Sequence, residues 1–295
     1  MTQTLSLPAP TKASTGDTGL IWRLAWRNLW RNPRRTWLTA GGIAFASLLV
    51  TLSMSLQQGS YDAMVSSATG FYLGQAQINH VLYEEEGKLE QTVAPADELR
   101  RSLEQVAGLH VAPRAQVFAL ASVGQRSFGA AVVGVDFEVE QKLVSFFDRV
   151  TQGRLPVDED EVLIGEALAR NLGAQLDDEL VLLGTGKEGG IGALALTIAG
   201  LYDSGRPELD RSLVFTHLAS VQNGFGLGDE VHAMVLGFDE IEALAPNLPR
   251  LSRGLPDNAE LRTWQQLLPE VVQSIELDRI SAVLFYGSIL VLVTF

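Results

Sequence analysis

The segment Gly184-Thr185-Gly186-Lys187-Glu188-Gly189 is the sequence's most direct candidate for phosphate chemistry, because a glycine-rich turn lets backbone N–H groups close around an anion. It meets the spacing G-x-G-x-x-G. However, Gly190 and a strand-like run come directly after it, so no helix N-terminus is available to hold a pyrophosphate, and a hairpin loop is expected. It is not a Walker A loop either. Val181 stands five residues before Gly186, and Glu188 rather than Ser or Thr follows Lys187. The chain is therefore not expected to carry its own ATPase site. His80, His110, His217 and His232 lack H-x-x-x-H or carboxylate spacing and read as surface or satisfied core histidines. Asp158-Glu159-Asp160-Glu161 lacks the glycine and terminal glutamate of a calcium loop and reads as a solvated turn before a strand. There is no G-x-S-x-G elbow. With no cysteine, disulfide scaffolds and thiolate chemistry are excluded. No catalytic, cofactor-binding or metal-ligating residue is assigned, and no cofactor is expected on this chain.

The residues that do form a pattern are tryptophans and arginines. Trp22, Ala25, Trp26 and Leu29 recur at helical spacing, while Arg23, Arg27 and Arg31 repeat every four residues on the opposite face. Indoles suit the headgroup level of a bilayer and arginines suit its phosphates, so residues 20–35 read as an interfacial amphipathic helix broken at Asn32-Pro33. The expected membrane-interface residues are Trp22, Arg23, Trp26, Arg27, Leu29, Trp30 and Arg31. A soluble helix packing its tryptophan stripe on a protein partner is the alternative.

Two apolar segments must position these residues. Thr36 to Tyr61 holds no charged side chain and would run roughly 39 Å as a helix, against a hydrocarbon core of about 30 Å. A transmembrane helix over 36–61 is expected rather than a buried core helix. Arg34 and Arg35, directly before it, fix the N-terminus on the cytoplasmic side. Ile280 to Phe295 is also uncharged but gives only about 24 Å of helix, so the sequence is expected to end inside a second membrane helix; a soluble terminal helix is the alternative. Arg34-Arg35-Thr36-Trp37-Leu38 also fits a twin-arginine export signal. Against that stand the missing A-x-A-like cleavage site, the preceding Trp/Arg helix and the second apolar segment.

Composition agrees with one or two spans and a folded domain: 295 residues are 46% hydrophobic, with mean hydropathy +0.14. Residues 1–36 hold six basic side chains against Asp17, a local balance of +5 in a chain of net −13, which leaves −18 for the remainder. That acidic remainder argues against a nucleic-acid partner. Residues 1–19 read as a disordered cytoplasmic tail and 62–279 as a domain on the far side of the bilayer, long enough for a core of its own. A period-two run over 75–81 and apolar runs rich in Val and Ala over 117–123 and 129–135 predict strands, as do 162–164, 181–183, 194–202, 213–216 and 231–237. Helices are expected over 95–107 and 165–172, the latter stopped by Gly173. Ala245 to Asn258 reads as a linker because of its prolines and glycine. Thr263 with Gln266 forms a capping box that opens the return helix through Pro269.

LAWRNLWRNPRRTWLTAGGIAF, YLGQAQINH, GRLPVDEDEVLIGEALARNLGAQLDDELVLLG and the terminal TWQQLLPEVVQSIELDRISAVLFYGSILVLVTF together resemble the MacB/FtsX-like ABC transporter permease family, and within it the lipoprotein-releasing permeases of the LolC/LolE type. The resemblance implies an α+β membrane protein: transmembrane helices plus a MacB-like mixed α/β periplasmic domain of two lobes. It also implies a non-catalytic permease subunit of the bacterial inner membrane, paired with a second copy or paralogue. ATP would be bound and hydrolysed by a separate cytoplasmic ABC ATPase, and membrane lipids and a lipoprotein substrate complete the expected partners. Efflux of a peptide or small molecule, as in MacB, regulation of an envelope enzyme, as in FtsX, and a non-transport tethered binding domain are the alternatives.

Overall fold

The computed structural model describes residues 17–83 and 88–294. The tail expected over 1–19 lies outside the described residues up to position 16, as does Phe295. The chain divides into two compact units, Met1–Ser60 with Glu276–Phe295, and Tyr61–Ile275.

The first unit is helical. Helix α1 runs Asp17–Leu29 and helix α2 starts at Pro33, ending at Ala68. Proline at the first helical position costs nothing, because its missing N–H would have had no partner there. α1 closes at Leu29, so Arg31 sits in a short elbow rather than on the helical face its spacing predicts. The last helix spans Pro269–Thr294, a longer element than the apolar segment that signals it.

The second unit holds ten strands among the described residues. Strand β1 (Ala76–His80) lies between β10 (Ala259–Thr263) and β9 (Ala233–Phe238), both antiparallel to it. The 15-residue strand β2 (Leu109–Val123) is the spine: Leu109–Arg114 pairs with β9, and Ala115–Val123 pairs with β3 (Arg126–Val135). From there the sheet passes through β8 (Leu213–His217), β5 (Glu161–Gly165), β7 (Ile191–Tyr202) and β6 (Glu179–Thr185) and back to β2, closing a ring of six strands. Strand β4 (Val150–Gly153) is added on β7.

Three apolar clusters arise from this pairing. Inside the ring, small and branched residues such as Ala119, Ala121, Ala130, Val132, Ile164 and Leu182 fill the narrow bore, as a barrel of few strands requires. On the other face of β3, β5 and β8, Val133, Leu163 and Phe215 pack against Phe146, Phe147 and Tyr202. These strands are apolar on both faces because both are buried, so they read as continuous runs rather than alternations. The third cluster lies between the β10-β1-β9 sheet and two helices, Ala96–Leu103 and Leu244–Leu251.

The structure corrects one expectation about elements and adds a strand that the residue pattern does not mark. The linker expected over 245–258 begins as a helix: Leu244, Leu248 and Leu251 share one face and pack on the third cluster, and that burial outweighs Pro246 and Pro249. Strand β10 (AELRT) is too polar to signal itself and is fixed by its ladder with β1. Elsewhere the helix Glu166–Leu172 ends on Gly173 in the left-handed conformation (φ 69°), and the Thr263 N–H donates to the Gln266 side chain at 2.9 Å.

Gly165, at the turn from β5 into helix Glu166–Leu172, lies against the main chain of Asp210; a Cβ there would sit 2.2 Å from the Asp210 carbonyl oxygen. Backbone cannot yield as a flexible side chain would. Gly165→Ala is expected to destabilise the protein by about 1–3 kcal/mol, read as a lower urea midpoint by circular dichroism.

Candidate functional site

At the elbow, the Trp26 and Trp30 ring centroids lie 6.2 Å apart and Trp30 and Trp37 6.5 Å apart, both edge-on, so three indoles form a ladder from α1 to α2. The Thr36 hydroxyl donates to the Leu29 carbonyl at 2.6 Å and pins the end of α1 to the start of α2. Trp22, Trp26, Leu29 and Trp30 are all exposed, and α2 buries none of its side chains. Trp37, which the residue pattern does not mark, is thus brought together with Trp26 and Trp30. Arg31 and Arg35 meet with Leu29 along one groove that Arg23, Arg27 and Arg34 do not line. Pro33–Leu73 is the one helical stretch among the described residues long and apolar enough to cross a bilayer. Farther along the same unit, the Gln57 amide donates to Asp278 at 2.8 Å and accepts from the Tyr286 hydroxyl at 3.2 Å, a polar tie between α2 and the last helix.

In the second unit Lys187, Glu230 and His232 are turned to internal ties, whereas the buried Nε2 of His217 has no hydrogen-bond partner among the described residues and so departs from the expectation of a satisfied core histidine. The glycine loop is a hairpin: Gly186 N–H donates to Gly190 and Gly189 N–H to Gly186, while Lys187 N–H reaches the Phe225 carbonyl. The Lys187 ammonium pairs with Glu230, which also accepts from Thr92. Burial raises the Glu230 carboxyl, but these partners outweigh it and leave the group below its ordinary value. His232 is buried; its Nδ1 accepts from the Gln116 N–H at 3.0 Å and its Nε2 faces the Leu89 carbonyl at 3.2 Å. Burial pushes its imidazole down to about 4, against the opposing pull of the Leu89 carbonyl and Glu230, so it is neutral at pH 7. Among the described residues no group of three or more His, Asp or Glu could hold a metal ion.

The most enclosed ion pair joins Arg114 and Glu140. Two parallel bonds of 2.5 and 2.7 Å form the fork, and the guanidinium carbon lies 4.2 Å from the Tyr72 ring centroid. Burial lowers the Arg114 pKa, but the Glu140 charge and Tyr72 more than offset that and hold the group charged. Arg114 is the residue at which β2 passes from β9 to β3, Glu140 sits on helix Phe137–Leu143, and Tyr72 lies in the π-turn Thr69–Leu73. The pair is separated by 26 positions and carries no local pattern that could have announced it.

These features define a class of protein: an α/β domain with three apolar clusters, several of whose polar groups serve as internal ties, bracketed in sequence by long apolar helices. The chain belongs to the family of the MacB-like periplasmic core domain, whose model matches residues 36–246. That match runs from α2 into the helix Leu244–Leu251 and leaves β10 and the last helix outside it. Among solved structures, the periplasmic region of MacB from Actinobacillus actinomycetemcomitans is similar at 14% identity and TM-score 0.48, over 72% of this chain and 98% of that one. The extracellular domain of the noncanonic ABC-type transporter YknZ from Gram-positive bacteria is similar at 13% identity and TM-score 0.45, over 64% and 100%. No curated protein sequence gives a significant match.

Two outcomes test these ties. Arg114→Ala should cost about 3–5 kcal/mol by stranding the Glu140 carboxylate, and Arg114→Met with Glu140→Leu should recover most of it, both by urea unfolding. His232 titrates lower in the folded chain than in the unfolded one, so the unfolded chain takes up the proton first. Stability should fall by up to about 3 kcal/mol between pH 6.5 and pH 4, and His232→Asn should flatten that slope.

Proposed function

We propose that this chain is the permease subunit of an ABC transporter of the bacterial inner membrane, with its N-terminus in the cytoplasm and residues 62–279 in the periplasm. The observation that carries the reading is the adjacency in sequence of a MacB-like periplasmic core domain and a helix that exposes an uncharged apolar surface. Trp37, Leu38, Phe45 and Leu48 of α2 are more than half exposed, a burden no soluble chain carries without a partner, and hydrocarbon relieves it. The arginines on the N-terminal side support the orientation. Residues 280–295 form the second span.

The work of such a subunit is mechanical. A separate cytoplasmic ATPase binds and hydrolyses ATP, the spans respond, and the periplasmic domain acts on a substrate taken from the outer leaflet or the periplasm. The resemblance to lipoprotein-releasing permeases supports a lipoprotein as that substrate. The subunit works in a pair, with a second copy or a paralogue, and it needs no cofactor of its own.

An alkaline phosphatase fusion after Gly190 should be active and a green fluorescent protein fusion there dark, with the reverse for fusions before Thr36. The opposite pattern overturns the orientation. Depletion should cause lipoproteins to accumulate in the inner membrane; sensitivity to toxic compounds without that accumulation would favour efflux instead.

A further inference from the structure

The elbow between α1 and α2 lines an open groove of about 630 Å³. One part of its lining is polar and cationic: Arg31, Asn32 and Arg35, with Asn28 beside them. The other is apolar: Ala25, Leu29, Ala40 and Ile43. The Thr36 and Thr39 hydroxyls on this wall donate to the carbonyls of Leu29 and Arg35, so the donors left to face a ligand are the guanidiniums and the amides. The groove also opens at the N-terminus of the 36-residue helix α2, whose first turn adds partial positive charge. Two forked cations above an apolar wall match a phosphodiester with an acyl chain attached better than they match a free anion or a neutral lipid.

We propose that this groove is a specific site for one anionic phospholipid, its phosphate held between Arg31 and Arg35 and an acyl chain lying along Ala40 and Ile43. The inference rests on the membrane reading given above and adds to it a defined stoichiometric ligand. The indoles of Trp26, Trp30 and Trp37 mark the same depth, where headgroups lie. A bound lipid here braces the elbow and so fixes the angle at which α1 leaves the span.

The test is native mass spectrometry of the full chain in detergent, titrated with dioleoyl phosphatidylglycerol, dioleoyl phosphatidylcholine or inorganic phosphate. One phosphatidylglycerol per chain should be retained about tenfold more tightly than phosphatidylcholine. Arg31→Gln with Arg35→Gln should abolish that preference. Arg34→Gln removes the same charge one position away but does not line the groove, and it should change affinity by less than about threefold. Arg31→Lys with Arg35→Lys keeps the charge without the fork and should keep part of the preference, which separates loss of the ligand contact from loss of the fold. Equal retention of both lipids, an equal loss in Arg34→Gln, or displacement by millimolar inorganic phosphate overturns the site. Carbonate extraction of membranes distinguishes the two levels of failure: a chain released at pH 11 sinks the membrane reading itself, whereas a retained chain with no lipid preference sinks only the groove.

Discussion

A charge taken out of water must find its counter-charge, and in this domain that requirement falls on Arg114 and Glu140, both essentially inaccessible. The fork is satisfied only if strand β2, helix Phe137–Leu143 and the turn carrying Tyr72 arrive together. A one-residue slip of a buried strand already turns its side chains to the opposite face. A buried guanidinium adds a second penalty, because displacement leaves it without a partner in a medium that cannot solvate it. The pair lies where β2 stops belonging to one sheet and starts belonging to the other, the point at which the ring of six strands and the β10-β1-β9 sheet meet.

Much of this was legible in the residues and some was not, for physical reasons. Strands such as Leu213–His217 announced themselves because their side chains are apolar on consecutive positions, and Gly173 marked the end of a helix because the left-handed conformation there favours glycine. The glycine loop could be read as a hairpin because it runs directly into a strand. The Arg114–Glu140 fork could not be read, since its partners become neighbours only after three elements have packed. Leu244–Leu251 was masked by two prolines that a buried leucine face overrides, and β10 by a composition that only its partner strand makes sense of. At the candidate interface, Trp26 and Trp30 were marked by spacing, but Trp37 joins them across a helix break, which no single helical period crosses.

The domain's polar interior also explains why motif matching points the wrong way here. Lys187 lies in a loop with the outward form of a phosphate cradle, yet its ammonium is held by Glu230 and its loop amides by carbonyls of the same hairpin and of Phe225. A cradle works only when its donors have nothing else to bind. His232 is likewise placed for structure, clasping Gln116 and Leu89 with both ring nitrogens while Tyr83 lies against its ring, 5.5 Å away between centroids. In this MacB-like domain the loop lysine and the buried histidine are thus devoted to shape.

The ladder between β1 and β10 has one further implication. The chain enters the domain's sheet at Ala76 and leaves it at Thr263, and these two residues are paired with each other, with the Trp264 N–H donating to the Gln75 carbonyl just beyond. Both connections therefore lie at one end of a single antiparallel ladder. Tension that draws them apart would meet the ladder's bonds one after another, as in opening a zip, and each bond would carry the load alone. Tension that moves them in the same direction would load no bond across the ladder at all. The domain is built to travel with its two connections and to resist poorly their separation, which makes it a body to be carried rather than a spring to be stretched.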